Sequence, residues 1–299
     1  MTWWREGVLY QIYVRSFADA NGDGIGDFEG IRSKLDYLEW LGVDGLWLTP
    51  VHPSPNEDWG YDVADFLGVH PDFGRLDDLD TLVAEARGRG IRILLDLVPN
   101  HTSSAHPWFR DPSKRDWYVW ADRPNNWRST FGGSAWSYDR EVGEYYLHNF
   151  LPEQPDLNWW NDDVRDAFDE ILRFWFDRGI AGFRIDVAHA LVKDRGLRDN
   201  PRLTSGDIRR ERTYNMNRPE VHEVYKRWRK LADEYDEPRI FVGETWVSDI
   251  DELARYYGAD DQLHMAMNFP FVLAPFRAPA LRGVVEWAER AYPPEAWPV

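Results

Sequence analysis

The chain of 299 residues has no cysteine, which excludes a disulfide framework, a thiolate zinc site and a cysteine nucleophile. It has no apolar stretch near the ~18 residues that a membrane span needs. Its start, Met1-Thr-Trp-Trp-Arg-Glu6, lacks the basic segment and apolar run of a secretory leader. Basic side chains are scarce: 35 Lys and Arg against 52 Asp and Glu leave a net charge of −17, which repels phosphate backbones and anionic lipid. There is no internal repeat and no low-complexity tract. The expectation is a cytoplasmic protein with a neutral partner, neither nucleic acid nor membrane, its oligomeric state left open.

Aromatic side chains are abundant. Seventeen Trp, 14 Tyr and 15 Phe make up 15% of the chain, many of them in polar stretches rich in Gly and Pro. Such rings either fill the core and loops of a large protein or offer flat faces to the C–H surface of a sugar, and composition alone leaves both readings open.

Short β-rich runs alternate with amphipathic helical patterns, the signature of a parallel α/β architecture. Strands are predicted at 8–14, 43–51 and 91–98, with helices at 29–41 and 76–89 between and after them. The rhythm then stops: residues 102–161 are rich in Trp, Pro, Asn and Gly and hold one hairpin, at 138–150. So long an interruption predicts a small inserted domain rather than a loop. Alternation resumes with helices at 163–178, 219–235 and 279–291 and strands at 182–187, 239–245 and 265–271, and the chain ends where a seventh strand would begin. The fold class that follows is α/β: an incomplete (β/α)8 barrel of about six βα units in 1–101 and 162–299, carrying the inserted domain after its third strand.

Reactive groups of such barrels stand at the C-terminal ends of the strands. The third strand ends Asp96-Leu-Val-Pro-Asn-His101, the fourth Gly182-Phe-Arg-Ile-Asp-Val187, the fifth Phe241-Val-Gly-Glu-Thr-Trp246, and the loop after the second holds Trp59-Gly-Tyr-Asp62. Arg184 and Asp186 lie two apart on a strand and therefore point the same way. Such pairing predicts an ionised Asp186. With Glu244 on the next strand, it matches the carboxylate pair of retaining glycoside hydrolysis, roughly 5 Å apart. An isolated Arg-x-Asp reads more readily as an interior ion pair beside a rim carboxylate.

These motifs, in this order, resemble the α-amylase superfamily, glycoside hydrolase family 13, over essentially the whole chain. Gln154-Pro-Asp-Leu-Asn158, Leu9-Tyr-Gln-Ile-Tyr-Val-Arg-Ser-Phe17 and Trp127-Arg-Ser-Thr-Phe-Gly-Gly-Ser-Ala-Trp136 are similar to its exo-acting α-glucosidase and oligo-1,6-glucosidase members. The resemblance implies a retaining α-glucosidase that removes terminal glucose from short oligosaccharides, without an organic cofactor. It makes Asp186 the nucleophile, Glu244 the general acid and base with a pKa above a free carboxyl's, and Arg184 the residue that holds Asp186. Asp62 and His101 would grip hydroxyls of the terminal glucose, Tyr61 would stack on it, and Phe131 and Phe150 would wall the pocket. For Asp62 and His101 a fold-supporting hydrogen bond is the alternative. Val187 resembles the residue of α-1,6-active members, although the following Ala188-His189 departs from the usual Ile-Asn.

Asp19, Asn21, Asp23, Ile25 and Asp27 space oxygen ligands at alternate positions, Ile25 through its carbonyl, as a Ca²⁺ loop does. It is not an EF-hand, because Gly30 occupies the twelfth position, and an acidic turn without metal is the other reading. Family members carry structural Ca²⁺ or Mg²⁺ on a similar loop. The family's fourth signature, Asn-His-Asp at the seventh strand, is absent from the 299 residues, so the chain is expected to behave as a fragment with negligible activity. Two alternatives remain. A glucosyltransferase of the same family, such as a trehalose synthase or a sucrose-using enzyme, shares the catalytic pair. A non-catalytic protein of the same fold, like the transporter heavy chains, usually loses that pair.

Overall fold

The computed structural model describes residues 3–201, 213–294 and 296–298. Among these, seven strands form one all-parallel sheet: β1 (Leu9–Ile12), β2 (Gly45–Leu48), β3 (Arg92–Leu97), β7 (Gly182–Ile185), β8 (Ile240–Gly243), β9 (Met265–Ala266) and β10 (Trp297–Pro298), hydrogen-bonded in that order. Between β3 and β7 lies a separate antiparallel sheet of β4 (Trp120–Ala121), β5 (Trp136–Asp139) and β6 (Glu144–Leu147), with β6 in the middle. β3 pairs directly with β7, Asp96 opposite Arg184, so the intervening segment leaves the parallel sheet uninterrupted. The architecture is an incomplete (β/α)8 barrel with an inserted small sheet.

The central strands are buried on both faces, as parallel strands covered by helices must be, and apolar apart from Arg92 at the start of β3 and the facing pair Asp96 and Arg184. Leu76–Gly88 turns Leu79, Leu82, Val83 and Ala86 onto the sheet, and Val221–Ala232 turns in Val221, Val224, Tyr225, Trp228 and Leu231. Asp162–Asp177 begins at Asn161, whose side chain accepts the Asp163 N–H, and buries a stripe from Val164 to Phe176. None of the helices among the described residues is long and apolar enough to cross a membrane.

Four elements differ from the sequence pattern. The strand predicted at 8–14 stops at Ile12, and Val14–Phe17 forms a helical turn onto which the Asp19–Asp27 loop folds, Gly26 N–H reaching Arg15 O. The helix predicted at 29–41 is two, Phe28–Arg32 and Leu35–Leu41, because the Ser33 hydroxyl bonds back to the Gly30 carbonyl and offers the backbone an exit from the helix. The second piece ends at Gly42, whose φ of +80° suits glycine best. The strand predicted at 265–271 keeps only Met265–Ala266. Asn268 then caps a turn at Phe269–Val272, with proline in its first turn, where no helical N–H is needed. Finally, the seventh strand has begun: Trp297–Pro298 pairs in parallel with β9, so among the described residues the sheet runs from β1 to β10.

Candidate active site

Arg184 is the hub. From the interior of β7 its Nη1 meets Asp96 Oδ1 at 2.9 Å and Asp186 Oδ1 at 2.7 Å, and its Nη2 meets Glu244 Oε2 at 2.8 Å. Strand geometry dictates this. Arg184 and Asp186 share a face by period two, Asp96 is the register partner of Arg184 on β3, and Glu244 follows the last residue of β8. The two proposed catalytic carboxyls therefore sit on adjacent nitrogens of one guanidinium.

Asp96 was not assigned a role from sequence, yet it anchors the site floor. It is fully buried and accepts the Tyr61 hydroxyl at 3.2 Å and the Trp47 indole N–H at 3.1 Å. The Trp47 and Tyr61 rings lie 5.0 and 5.9 Å from the guanidinium carbon. The readable signal was a lone carboxylate inside the apolar run Ile93–Val98, which cannot stay charged there without a partner.

Three carboxyls share one cation in a buried space, and their titration reflects it. Burial pushes Asp96 up to about 6 against the pull of Arg184. Burial also raises Asp186 well above the ordinary range, opposed by Arg184 and reinforced by the charges of Glu244 and Asp96. Glu244 goes the other way: burial raises it, but Arg184, the Val187 N–H at 2.9 Å and the Trp246 indole N–H at 3.0 Å together bring it below its ordinary value. Burial thus drives Asp186 up while the donors around Glu244 draw it down, and the three carboxyls titrate together. The reason is geometric, since more donors converge on Glu244 than on Asp186.

The remaining assigned residues divide. Val187 joins the site through its backbone, and its φ of +38° is unusual for a β-branched residue. Its side chain packs with Ala190, Met216 and Phe150. Phe150, from the inserted segment, lies 5.2 Å from the His101 ring and 5.9 Å from that of Phe131, which is exposed. Burial lowers His101 to about 4, so it is neutral near pH 7. Lys193 Nζ donates to Asn100 Oδ1, which turns the Asn100 amide N–H to His101 Nδ1, while His101 Nε2 lies 3.1 Å from both the Tyr61 carbonyl and the Gln154 side-chain amide nitrogen. Asp62 is fully buried and accepts Ser54 Oγ and the N–H groups of Glu57 and Asp58, so it braces its own loop.

The Asp19–Asp27 loop follows the Val14–Phe17 turn and shares no hydrogen bond with this cluster among the described residues. Asp19 accepts the N–H groups of Asn21, Gly22 and Gly24, Asn21 that of Asp23, and Asp23 that of Ile25. Asp27 caps Phe28–Arg32. Among the described residues no three His, Cys, Asp or Glu side chains converge as a metal cluster.

Fold and site together define an α/β-barrel protein whose polar groups gather at the C-terminal strand ends. The chain belongs to the α-amylase family, whose catalytic domain matches residues 11–289. A probable α-glucosidase of Rhizobium meliloti (strain 1021) is 46% identical over 92% of this chain and 54% of its own length. An oligo-1,6-glucosidase of Parageobacillus thermoglucosidasius is 48% identical over 81% of this chain and 45% of its own. The crystal structure of an α-glucosyl transfer enzyme, XgtA, matches with a TM-score of 0.92 at 42% identity, over 99% of this chain and 59% of its own. The chain thus spans about half the length of the curated relatives it matches.

Proposed function

We propose that the protein to which this chain belongs is a retaining, exo-acting α-glucosidase that takes terminal glucose from short α-1,4- or α-1,6-linked oligosaccharides. The observation that carries this reading is the pair of carboxyls, Asp186 and Glu244, on adjacent nitrogens of Arg184. In this mechanism Asp186 attacks the anomeric carbon while Glu244 gives its proton to the departing glycosidic oxygen, forming a β-glucosyl ester. Water, deprotonated by Glu244, then displaces Asp186, and two inversions give net retention. The proton that burial keeps in the carboxyl cluster must reside on Glu244 at the first step. The cluster titrates as a unit, so a sugar bound over Asp186 can shift the proton to Glu244. The relatives' names support the substrate class.

The test uses this sequence continued to the length of its relatives. Maltose and isomaltose are expected to be cleaved faster than starch, α-glucose to appear first by NMR, and Asp186→Asn and Glu244→Gln to abolish turnover. Faster attack on starch would overturn exo action, and initial β-glucose would overturn retention. The 299 residues alone are expected to turn over negligibly, since the family's third carboxylate is not among them. Linkage preference is assigned to Val187, and Val187→Thr is expected to change the maltose-to-isomaltose ratio. Transglucosylation is the second reading, favoured by the match to a glucosyl transfer enzyme. Mainly new disaccharide at high sugar concentration would establish it.

Structural Ca²⁺, or Mg²⁺ in its place, is proposed at Asp19, Asn21, Asp23, Asp27 and the Ile25 carbonyl, an all-oxygen set suited to a hard cation. Calorimetry with each ion and with Asp23→Ala tests it, and no heat from the unaltered chain would remove it. A cytoplasmic site, proposed from the lack of cysteine, is tested by cell fractionation.

A further inference from the structure

Glu244 uses its two oxygens differently. Oε2 takes Arg184 Nη2 at 2.8 Å and the Val187 N–H at 2.9 Å. Oε1 meets the indole Nε1–H of Trp246 at 3.0 Å. Trp246 lies two residues beyond Glu244, and its ring stacks on Phe269 with centroids 3.9 Å apart and planes 19° from parallel. The same segment is tied to the end of β9 by the Thr245 hydroxyl, which donates to the Met267 carbonyl at 3.2 Å. The ring remains 51% exposed, so it stands at the open side of the carboxyl cluster.

We propose that Trp246 is the positioning residue of the proton-donating carboxyl, holding Glu244 Oε1 toward the departing oxygen. The proposal rests on the glucosidase reading above. With Oε2 committed to two donors, the proton that passes to the glycosidic oxygen must leave from Oε1, and water later returns a proton to that same atom. An indole N–H is a donor only, so it orients Oε1 without competing for the proton. It also favours the carboxylate, in line with its part in lowering Glu244. The departing oxygen must come within hydrogen-bond reach of Oε1, so the leaving group passes beside the exposed indole ring.

Trp246→Phe keeps a ring to stack on Phe269 and removes the N–H. In the extended protein, kcat/KM for maltose or isomaltose is expected to fall by roughly tenfold or more, because their leaving groups need a proton. With α-glucosyl fluoride, whose leaving group needs none, the loss is expected to stay below about twofold. The basic limb of the disaccharide pH profile is expected to move upward. Equal losses on both substrates, with an unmoved profile, would show a merely structural residue and overturn the proposal. A second measurement needs no turnover. In the 299-residue chain the Trp246 Nε1–H resonance, identified by its loss in Trp246→Phe, is expected to shift as Glu244 titrates and to stay still in Glu244→Gln. A pH-insensitive resonance, unaffected by Glu244→Gln, would overturn the contact even if the enzyme were active. An enzyme inactive on every glucoside would overturn the function while this resonance still decides the contact.

Discussion

Arg184 balances three carboxyls with one charge, so its removal does more than break one ion pair. In Arg184→Met, Asp96, Asp186 and Glu244 are left buried without a cation, a change of the kind that costs about 3–5 kcal/mol at neutral pH. The sign with pH follows from linkage. A buried carboxyl whose folded pKa lies above its unfolded value takes up a proton on folding, so its destabilisation grows as pH rises above the unfolded value near 4. Urea unfolding is expected to show a large penalty at pH 7 that shrinks toward pH 4. An equal penalty at both would show that packing, not charge, is what Arg184 supplies. At this scale the sequence was legible where period two applies, as for Arg184 and Asp186. It was less so where a residue acts across strands, as Asp96 does from β3, or through its backbone, as Val187 does.

Elements were legible where one pattern dominates. The helix Asp162–Asp177 announces itself by an Asn cap and an apolar stripe, and β3 by its unbroken apolar run. Breaks were harder, because Ser33 and Asn268 act through single side-chain bonds that no periodicity carries. What fastens the inserted sheet to the barrel was also invisible. Lys193, after β7, is 2% exposed; its ammonium meets Asp156 at 2.7 Å and Asn100 at 2.7 Å. Asp156 in turn accepts the Asn149 backbone N–H at 2.8 Å and the Asn149 side-chain amide at 2.6 Å. One ammonium thus joins the end of β3, the segment after β6 and the loop after β7. Lys193→Met leaves a buried carboxylate unpaired and is expected to cost about 3–5 kcal/mol. Limited proteolysis should then cut between β4 and β6 before the parallel sheet. Cleavage at the same sites and rates as in the unaltered chain would show that the apolar contacts of Trp127, Trp136 and Leu147 hold the insertion instead.

At the scale of the molecule, the strand order and the position of the insertion could be read from alternation, whereas the acid response could not, since it depends on where imidazoles are buried. Burial lowers His52, His70, His101, His106, His222 and His264 below the ordinary imidazole value, His101 and His106 to about 4. A histidine with a depressed folded pKa binds its proton more readily in the unfolded chain, so stability is lost as pH falls from about 6.5 toward 4. A shift to about 4 corresponds to on the order of 3 kcal/mol each for His101 and His106. Asp58, Asp96, Asp169 and Asp186, all raised by burial, act in the opposite sense, and acidification also relieves the self-repulsion of a chain at −17. The six histidines outnumber these four carboxyls, so the melting temperature is expected to fall between pH 7 and pH 4.5. One substitution isolates the cause. His106 caps a helical turn, its Nδ1 accepting the Trp108 N–H at 3.0 Å, and His106→Asn keeps an acceptor there while removing the titration. Its stability is expected to fall less steeply with acid than that of the parent, by close to one proton's worth of slope in denaturant unfolding near pH 5. Parallel slopes would mean that His106 is not held neutral by the fold, and that the acid response arises at the other buried imidazoles.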